Sequence, residues 1–335
     1  MYWIGLVDHP EHVCSRYRLA AFRPLLEQAG HTLELQVLPR RWWSRPGFFH
    51  RLRGANVILQ RRLLSGWQLL MLRRAARRLL FDFDDAVFLR DSYAARGLHD
   101  RRRLRRFAGM VRCADAVIAG NDFLAEHAAR WTTAARVHVI PTCVDVGRYP
   151  LTEPSRKGTG VELVWVGSSS TLRGLQVIVP LLEEIGRNVP GLCLKLICDR
   201  FLQLRDLPVV AAPWTETGEV EEIARADIGI SWIPDDLWSR GKCGLKVLQY
   251  MAAGLPVIAN PVGVQGEMVK HGETGFLALT PAQWIEAVRR LAHDPELRRR
   301  MGRAGRQRVE SRYSVAVGAA NWTALLDRLK EPRAA

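Results

Sequence analysis

The sequence predicts an α/β chain of two domains, each built on a parallel sheet flanked by helices. Three observations predict it. At 335 residues the chain exceeds one ordinary core and suits two domains of roughly 150 residues each. Short β-branched runs alternate with helical patterns from end to end, the order that right-handed βαβ units produce. The stretch from Val144 to Gly160, VDVGRYPLTEPSRKGTG, is rich in proline, glycine and charge and interrupts that alternation as a linker does. The reading is therefore two Rossmann-like domains, 1–150 and 151–312, with a last helical segment at 313–335.

In the first domain, strands are expected at Trp3–Val7, Leu33–Leu38, Val57–Gln60, Leu79–Phe83, Ala116–Ala119 and Val137–Ile140. Amphipathic helices are expected between them at Ser15–Gln28, Trp67–Arg78, Asp100–Cys113 and Asp122–Trp131, with Ser15 as N-cap of the first. After the linker, strands are expected at Val161–Val166, Leu194–Cys198, Val209–Ala212, Ile228–Ile233 and Val257–Ala259. Helices are expected over Leu172–Asn188, Gly244–Ala253, Ala282–Ala292, Pro295–Ser311 and Val315–Lys330. In such folds the cleft between the domains is the default site.

Composition is globular, 48% hydrophobic and 25% charged. No run approaches the roughly 20 apolar residues of a membrane span, and MYWIGLVDHPEH lacks a signal-peptide pattern, so a cytoplasmic protein is expected. The six cysteines show no CxxC and read as reduced, mostly buried thiols. His9, His12 and His99 show no metal-ligand spacing. The net charge of +15 is concentrated before Ser155, where every cation is arginine. Clusters such as Arg73-Arg74 and Arg101-Arg102-Arg103 fit solvated helix faces, an anionic membrane or lipid-phosphate surface, or nucleic acid; charge alone does not separate these.

The segment GKCGLKVLQYMAAGLPVIAN, Gly241 to Asn260, reads as a glycine- and lysine-bearing loop, an apolar helix, a break and a short strand. That arrangement suits phosphate. Glycine lets the backbone approach, first-turn amides lack partners, and Lys242 or Lys246 supplies charge. Ser168–Ser170 places hydroxyls at a strand-to-helix turn, again suited to an anion, although a plain polar turn fits too. FDFDD puts Asp82, Asp84 and Asp85 at a strand's C-terminal tip, where three carboxylates need a cation, a proton or a basic partner. Helix capping and pairing with arginines is the structural alternative there. Arg16 and Arg18 open the first helix near the first strand tip.

Four segments in order resemble family-four GT-B glycosyltransferases: Val137–Asp145 (VHVIPTCVD), Val164–Gly174 (VWVGSSSTLRG), Gly241–Asn260, and Pro261–Phe276 (PVGVQGEMVKHGETGF). SRYR at Ser15–Arg18 and FDFDDA at Phe81–Ala86 are similar to a bacterial branch of that family. The resemblance implies the GT-B fold, with two parallel sheets facing across an interdomain cleft and the C-terminal helix crossing back to the first domain. It implies sugar transfer from a nucleotide sugar, of UDP or GDP type, to an acceptor hydroxyl, with retention and no obligatory metal or other cofactor. Donor-binding residues would be Gly167, Ser168, Ser169, Arg173, Lys242, Gly244, Lys246 and Gln249. Acceptor-binding residues would be Arg16, Arg18, Asp84 and Asp85, and the catalytic set Asp84, Asp85, Arg173 and Lys246.

The match departs from the family in two respects. Ser168 stands where its pattern has a pyrophosphate-binding arginine, with Arg173 keeping a cation at the lysine position, and Gly241 and Gln249 stand where its E-x7-E glutamates belong. An amide at 249 can still meet ribose hydroxyls. The role at the donor sugar that glycine cannot fill at 241 would pass to Asp235 or Asp236. The departure also admits a non-catalytic nucleotide- or sugar-binding homologue, while the aspartate cluster alone would suit a Mg-dependent phosphatase. The expected partners are the nucleotide sugar, an acceptor that is lipid-linked or a natural-product scaffold, and an anionic membrane surface on the inner face; nucleic acid is not expected.

Overall fold

The structure is a computed structural model that describes residues 1–151 and 160–330. The chain opens with β1 (Tyr2–Val7), α1 (Val13–Arg18), α2 (Arg23–Gln28), β2 (Thr32–Val37), α3 (Arg45–Arg51) and β3 (Asn56–Gln60). There follow α4 (Gly66–Ala75), β4 (Arg78–Phe83), α5 (Arg101–Cys113), β5 (Ala116–Ala119), α6 (Asp122–Ala129) and β6 (Val137–Val139). Beyond the linker come β7 (Val161–Val166), α7 (Ser169–Val177), α8 (Val179–Asn188), β8 (Leu192–Cys198), β9 (Val209–Pro213), α9 (Gly218–Ala224) and β10 (Ile228–Ser231). The remainder is α10 (Leu237–Arg240), α11 (Leu245–Ala252), β11 (Val257–Ala259), α12 (Gln265–Met268), β12 (Gly275–Leu277), α13 (Pro281–His293), α14 (Pro295–Arg312) and α15 (Val315–Arg328).

These elements form two six-stranded parallel sheets, ordered β2-β1-β3-β4-β5-β6 and β12-β11-β10-β7-β8-β9. By internal contacts the chain divides into two units. The first holds Met1–Cys143 and takes back two later segments, Asp236–Cys243 and the chain from Val315 onward; the second holds Val144–Asp235 and Gly244–Ser314. The first unit thus ends at Cys143 where the sequence suggests 150. Most of the expected linker, 152–159, lies outside the described residues, as do 331–335. No helix among the described residues is long and apolar enough to cross a membrane.

The first sheet is covered on both faces, as period-two alternation along β1 requires. Ile4 and Leu6 enter one core with Phe81, Phe83 and Phe107, while Trp3 and Val7 enter the other with Phe22 and Trp322. Helix α15 belongs to the second of these cores, and a Cβ on its Gly318 would meet Phe22 at 2.6 Å. The second sheet buries Leu163, Trp165, Leu194 and Leu196 under α7, α8 and α13.

Two expected helices are broken in the structure. Ser15–Gln28 becomes α1, a 3-10 turn and α2, because Leu19 leaves helical geometry (φ −132°) and Pro24 starts a new helix. Ser15 does not cap. It is buried and donates to Gln60 Oε1 at 3.1 Å, and His12 caps Cys14 instead. The run 172–188 divides into α7 and α8 at Ile178, with Pro180 in the first turn of α8. Helices α3 and α9 and strand β12 are too short to declare a period, so the sequence pattern does not mark them.

Candidate functional site

In the second sheet the strand order reverses between β7 and β10, which are neighbours although the chain leaves β7 toward β8. The carboxyl ends of such strands are where open α/β sheets hold ligands. Here β7 turns through Gly167 into α7. A Cβ on Gly167 would run into the Trp165 ring and lie 2.5 Å from Thr171 Oγ1 and 2.8 Å from Lys246 Nζ, so only glycine fits. Lys246 stands in the first turn of α11. Its Nζ lies 3.7 Å above the centroid of the buried Trp165 ring and donates to Thr171 Oγ1 at 3.4 Å. An aromatic face attracts an ammonium without neutralising it.

Helix α11 starts at Gly244, whose φ of 65° is left-handed and whose added Cβ would meet Met268 Sδ at 2.5 Å. No side chain caps this terminus. Its first-turn amides and the Lys246 ammonium are elements of one helix start, the combination that receives phosphate.

The neighbouring α7 start is differently equipped. Ser168 and Thr171 form a reciprocal capping box, and the Ser169 amide donates to Asp199 Oδ1 at 2.6 Å. The hydroxyl and amide of Ser169 hold the Asp199 carboxyl below its ordinary range. Helix α7 therefore already carries an internal anion at its positive end. Ser168 Oγ lies 2.8 Å from Ser170 Oγ, and Arg173 is exposed one turn further along.

Gln249 is 2% exposed and donates to Glu219 Oε1 at 2.5 Å; the Trp214 indole donates to the other oxygen of Glu219. The carboxylate absent from position 249 thus stands next to it, on α9. No sequence cue marks this pairing, since Glu219 lies 30 residues upstream in an acidic run.

In the first sheet the order reverses between β1 and β3; the tip of β4 carries the aspartates, and the neighbouring tip of β3 runs into Arg61. Asp82 is fully buried and pairs with Arg18 at 2.5 Å, and Arg18 also donates to the Ile140 carbonyl. This corrects the expectation that Arg18 meets the acceptor: it is completely enclosed, and its guanidinium neutralises a buried carboxylate. Arg16 is partly buried, with its guanidinium 5.5 Å from the Tyr17 ring centroid.

Asp84 and Asp85 share one cation that sequence reasoning missed. Arg61 reaches Asp84 at 3.0 Å and Asp85 at 2.7 Å. Burial opposes its charge, but the two carboxylates hold its pKa above the ordinary arginine value. Among the described residues Arg61 alone, apart from glycines, has a positive φ, 58°, and its amide donates to the Asp82 carbonyl. That turn costs on the order of 1 kcal/mol and places the guanidinium between the two carboxylates. Burial and Asp84 push the neighbouring Cys14 and Cys243 thiols well up, so both stay protonated.

The segment Asp236–Cys243 is bound to this strand tip. Asp236 caps α10 by accepting from Ser239, which occupies one of the two aspartates expected at the donor sugar. Asn121 accepts from Leu124 as the α6 cap and donates to the Lys242 carbonyl at 3.0 Å. Cys243 Sγ donates to the Asp84 carbonyl at 3.2 Å. Lys242 Nζ lies 3.9 Å from Asp85 and 5.4 Å from the Trp238 ring centroid, so in this structure it stands beside Asp85 of the first unit.

Gly241 has a packing reason to lack a side chain. A Cβ would lie 2.8 Å from Ala86 Cβ and 2.9 Å from Ala86 N. Gly241→Glu, which restores the family residue, is accordingly expected to destabilise the protein by about 1–3 kcal/mol. A denaturant midpoint unchanged in this variant would show that the packing there yields.

Residues 237–308 match the sequence model of a family described as glycosyl transferases group 1. Glycogen synthase of Mycobacterium tuberculosis is 27% identical over 53% of this chain and 45% of its own length. D-inositol 3-phosphate glycosyltransferase of Pseudarthrobacter chlorophenolicus is 26% identical over 58% and 51%. The chain spans about half the length of these curated relatives. Among solved structures, sucrose-phosphate synthase of Thermosynechococcus elongatus superposes with a TM-score of 0.77 at 17% identity, covering 98% of this chain and 99% of its own. Anabaena HepE, solved with UDP-glucose, gives a TM-score of 0.68 at 16% identity over 98% and 100%. The chain therefore has the GT-B fold of these glycosyltransferases, and its residues 237–308 carry the glycosyl transferases group 1 segment.

Proposed function

We propose that this chain transfers a sugar from a nucleotide-sugar donor to an acceptor hydroxyl, with retention and without an obligatory metal. The observation that carries the reading is Lys246, seated on Trp165 beside Gly167 in the first turn of an uncapped helix at the strand-order reversal. The donor diphosphate would bind there, with Arg173 as a second cation and the Gln249–Glu219 pair facing the ribose. HepE, whose solved complexes hold UDP and UDP-glucose, supports a uridine donor over a guanosine one.

In the proposed step the bond from the anomeric carbon to the donor phosphate oxygen breaks. The acceptor oxygen bonds to that carbon on the same face, and its proton passes to the departing phosphate. Lys246 and the α11 amides stabilise the charge growing on that leaving group. Asp84 and Asp85, fixed by Arg61, would orient the acceptor hydroxyl, which a lipid-linked molecule or a natural-product scaffold could supply. The phosphatase reading loses its footing: Asp82 is sealed by Arg18, and Arg61 holds the other two aspartates.

The test is a thermal-shift screen of UDP- and GDP-sugars followed by an assay of nucleotide release. A nucleoside diphosphate that raises the melting temperature, together with release of nucleotide from its sugar conjugate, is the expected result. Stabilisation without turnover on broad acceptor panels would favour the non-catalytic homologue, a reading that the missing glutamates at 241 and 249 keep in play. No stabilisation by any nucleotide would remove both.

A further inference from the structure

One face of the first unit is apolar and cationic at once, and the site described above uses none of it. Between Glu34 and Asp82 the chain holds no carboxylate, against eleven arginines. Helices α3, α4 and α5 cover a common face of the first sheet through Phe48, Leu69, Leu72, Phe107 and Met110. On the solvent side of this layer stand Trp42 and Trp43, each 60% exposed, with Trp67 at 44% and Leu70 at 49%. The three indoles touch: Trp42 lies 5.8 Å from Trp43 and 6.1 Å from Trp67, both edge-on.

Arginines surround this cluster. Arg41 lies over the Trp43 ring, and Arg45 is tied to the Pro39 carbonyl and to Gln68 beside Trp67. Burial and Arg62 and Arg106 hold the Arg45 guanidinium below its ordinary pKa, with Asp8 opposing; burial, Arg102 and Arg105 do the same to Arg106, opposed by Asp100. The cations are crowded enough to repel one another.

Exposed indoles are unfavourable in water, and crowded cations favour any surface that brings negative charge. A bilayer interface with anionic headgroups relieves both, because indoles settle at headgroup depth and arginines reach the phosphates. Edge-on packing makes the rings one apolar knob and leaves no separate flat platforms of the kind on which bases stack. We propose that the face built by α3, α4 and α5, led by Trp42, Trp43 and Trp67, docks this protein on an anionic membrane surface.

Membrane association is thereby assigned to one surface, and it is independent of sugar transfer, since the readout is binding. Co-sedimentation would be measured with vesicles of phosphatidylcholine containing phosphatidylglycerol, and with phosphatidylcholine alone, at low and physiological salt. The wild type is expected to partition at least about tenfold more onto the anionic vesicles, less so as salt rises. The triple variant Trp42→Ser/Trp43→Ser/Trp67→Ser is expected to lose most of that binding, while Leu279→Ser, at an exposed leucine of the second unit, retains it. Melting curves of each variant identify any that fail to fold. If the triple variant does fail, Arg41→Glu, beside the Trp43 ring, serves instead and is expected to lose binding likewise. Absence of vesicle binding at low salt, or full binding by a folded variant of this face, overturns the proposal, as does capture by RNA with none by vesicles.

Discussion

Lys246→Met is expected to lower sugar transfer by about 100- to 1,000-fold while leaving the fold intact. On the proposed reading this side chain has two separable jobs. Its stem packs at the Gly167 turn and its ammonium lies 3.7 Å above Trp165. Methionine keeps a flexible apolar stem and a favourable contact with the ring, so stability should change by no more than about 1 kcal/mol. What methionine cannot do is meet charge on a departing diphosphate. If Lys246 acts mainly on the leaving group, kcat falls much further than the affinity for the nucleoside diphosphate. Lys246→Arg restores a charge but adds a planar fork where Thr171 and Gly167 leave little room, so partial rescue is expected. Steady-state kinetics with titration of the free nucleotide would decide. Near-normal turnover by Lys246→Met would remove Lys246 from the chemistry; equal losses in affinity and kcat/KM would make it a binding group only.

Much of this architecture is legible in the sequence because parallel strands buried on both faces write themselves as apolar runs. Val161–Val166, Val257–Ala259 and Ala116–Ala119 coincide with observed strands to the residue. The helix pattern is less reliable where side chains serve tertiary contacts. Ser15 has cap chemistry, yet it turns inward to Gln60 because α1 must bring Arg18 to Asp82.

The site residues divide in the same way. Gly167, Gly244 and Lys246 are close along one strand turn and one helix start, so local pattern finds them. Arg61 and Glu219 are not, because each gains its role from a strand or helix distant in sequence. A positive φ at an arginine has no signature in a chain crowded with arginines. Lys242 and Lys246 look equivalent in sequence, yet the chain passes from one unit to the other at Cys243–Gly244 and assigns them to different ones.

The second large effect concerns Gln249. Gln249→Glu, which restores the family's carboxylate, is expected to destabilise the second unit by about 3 kcal/mol or more at neutral pH. The amide nitrogen it replaces lies 2.5 Å from Glu219 Oε1, and both side chains are more than nine-tenths buried. Two carboxylates cannot both ionise at that separation, so one takes a proton in the folded state and its pKa rises above the unfolded value. A group so raised contributes its stability at low pH and loses it as pH climbs through the folded pKa. The penalty should therefore shrink toward pH ~5 and grow toward pH ~8, measured by denaturant melts across that range. The exchange Glu219→Gln/Gln249→Glu returns one donor and one carboxylate to the pair and is expected to recover most of that stability. Nucleotide affinity then reports a separate property. If the pair's single negative charge is what the ribose meets, the exchanged protein binds nucleotide and Glu219→Gln alone does not. A Gln249→Glu variant as stable as the wild type at every pH would show that Glu219 moves away freely, and that position 249 was never constrained by it.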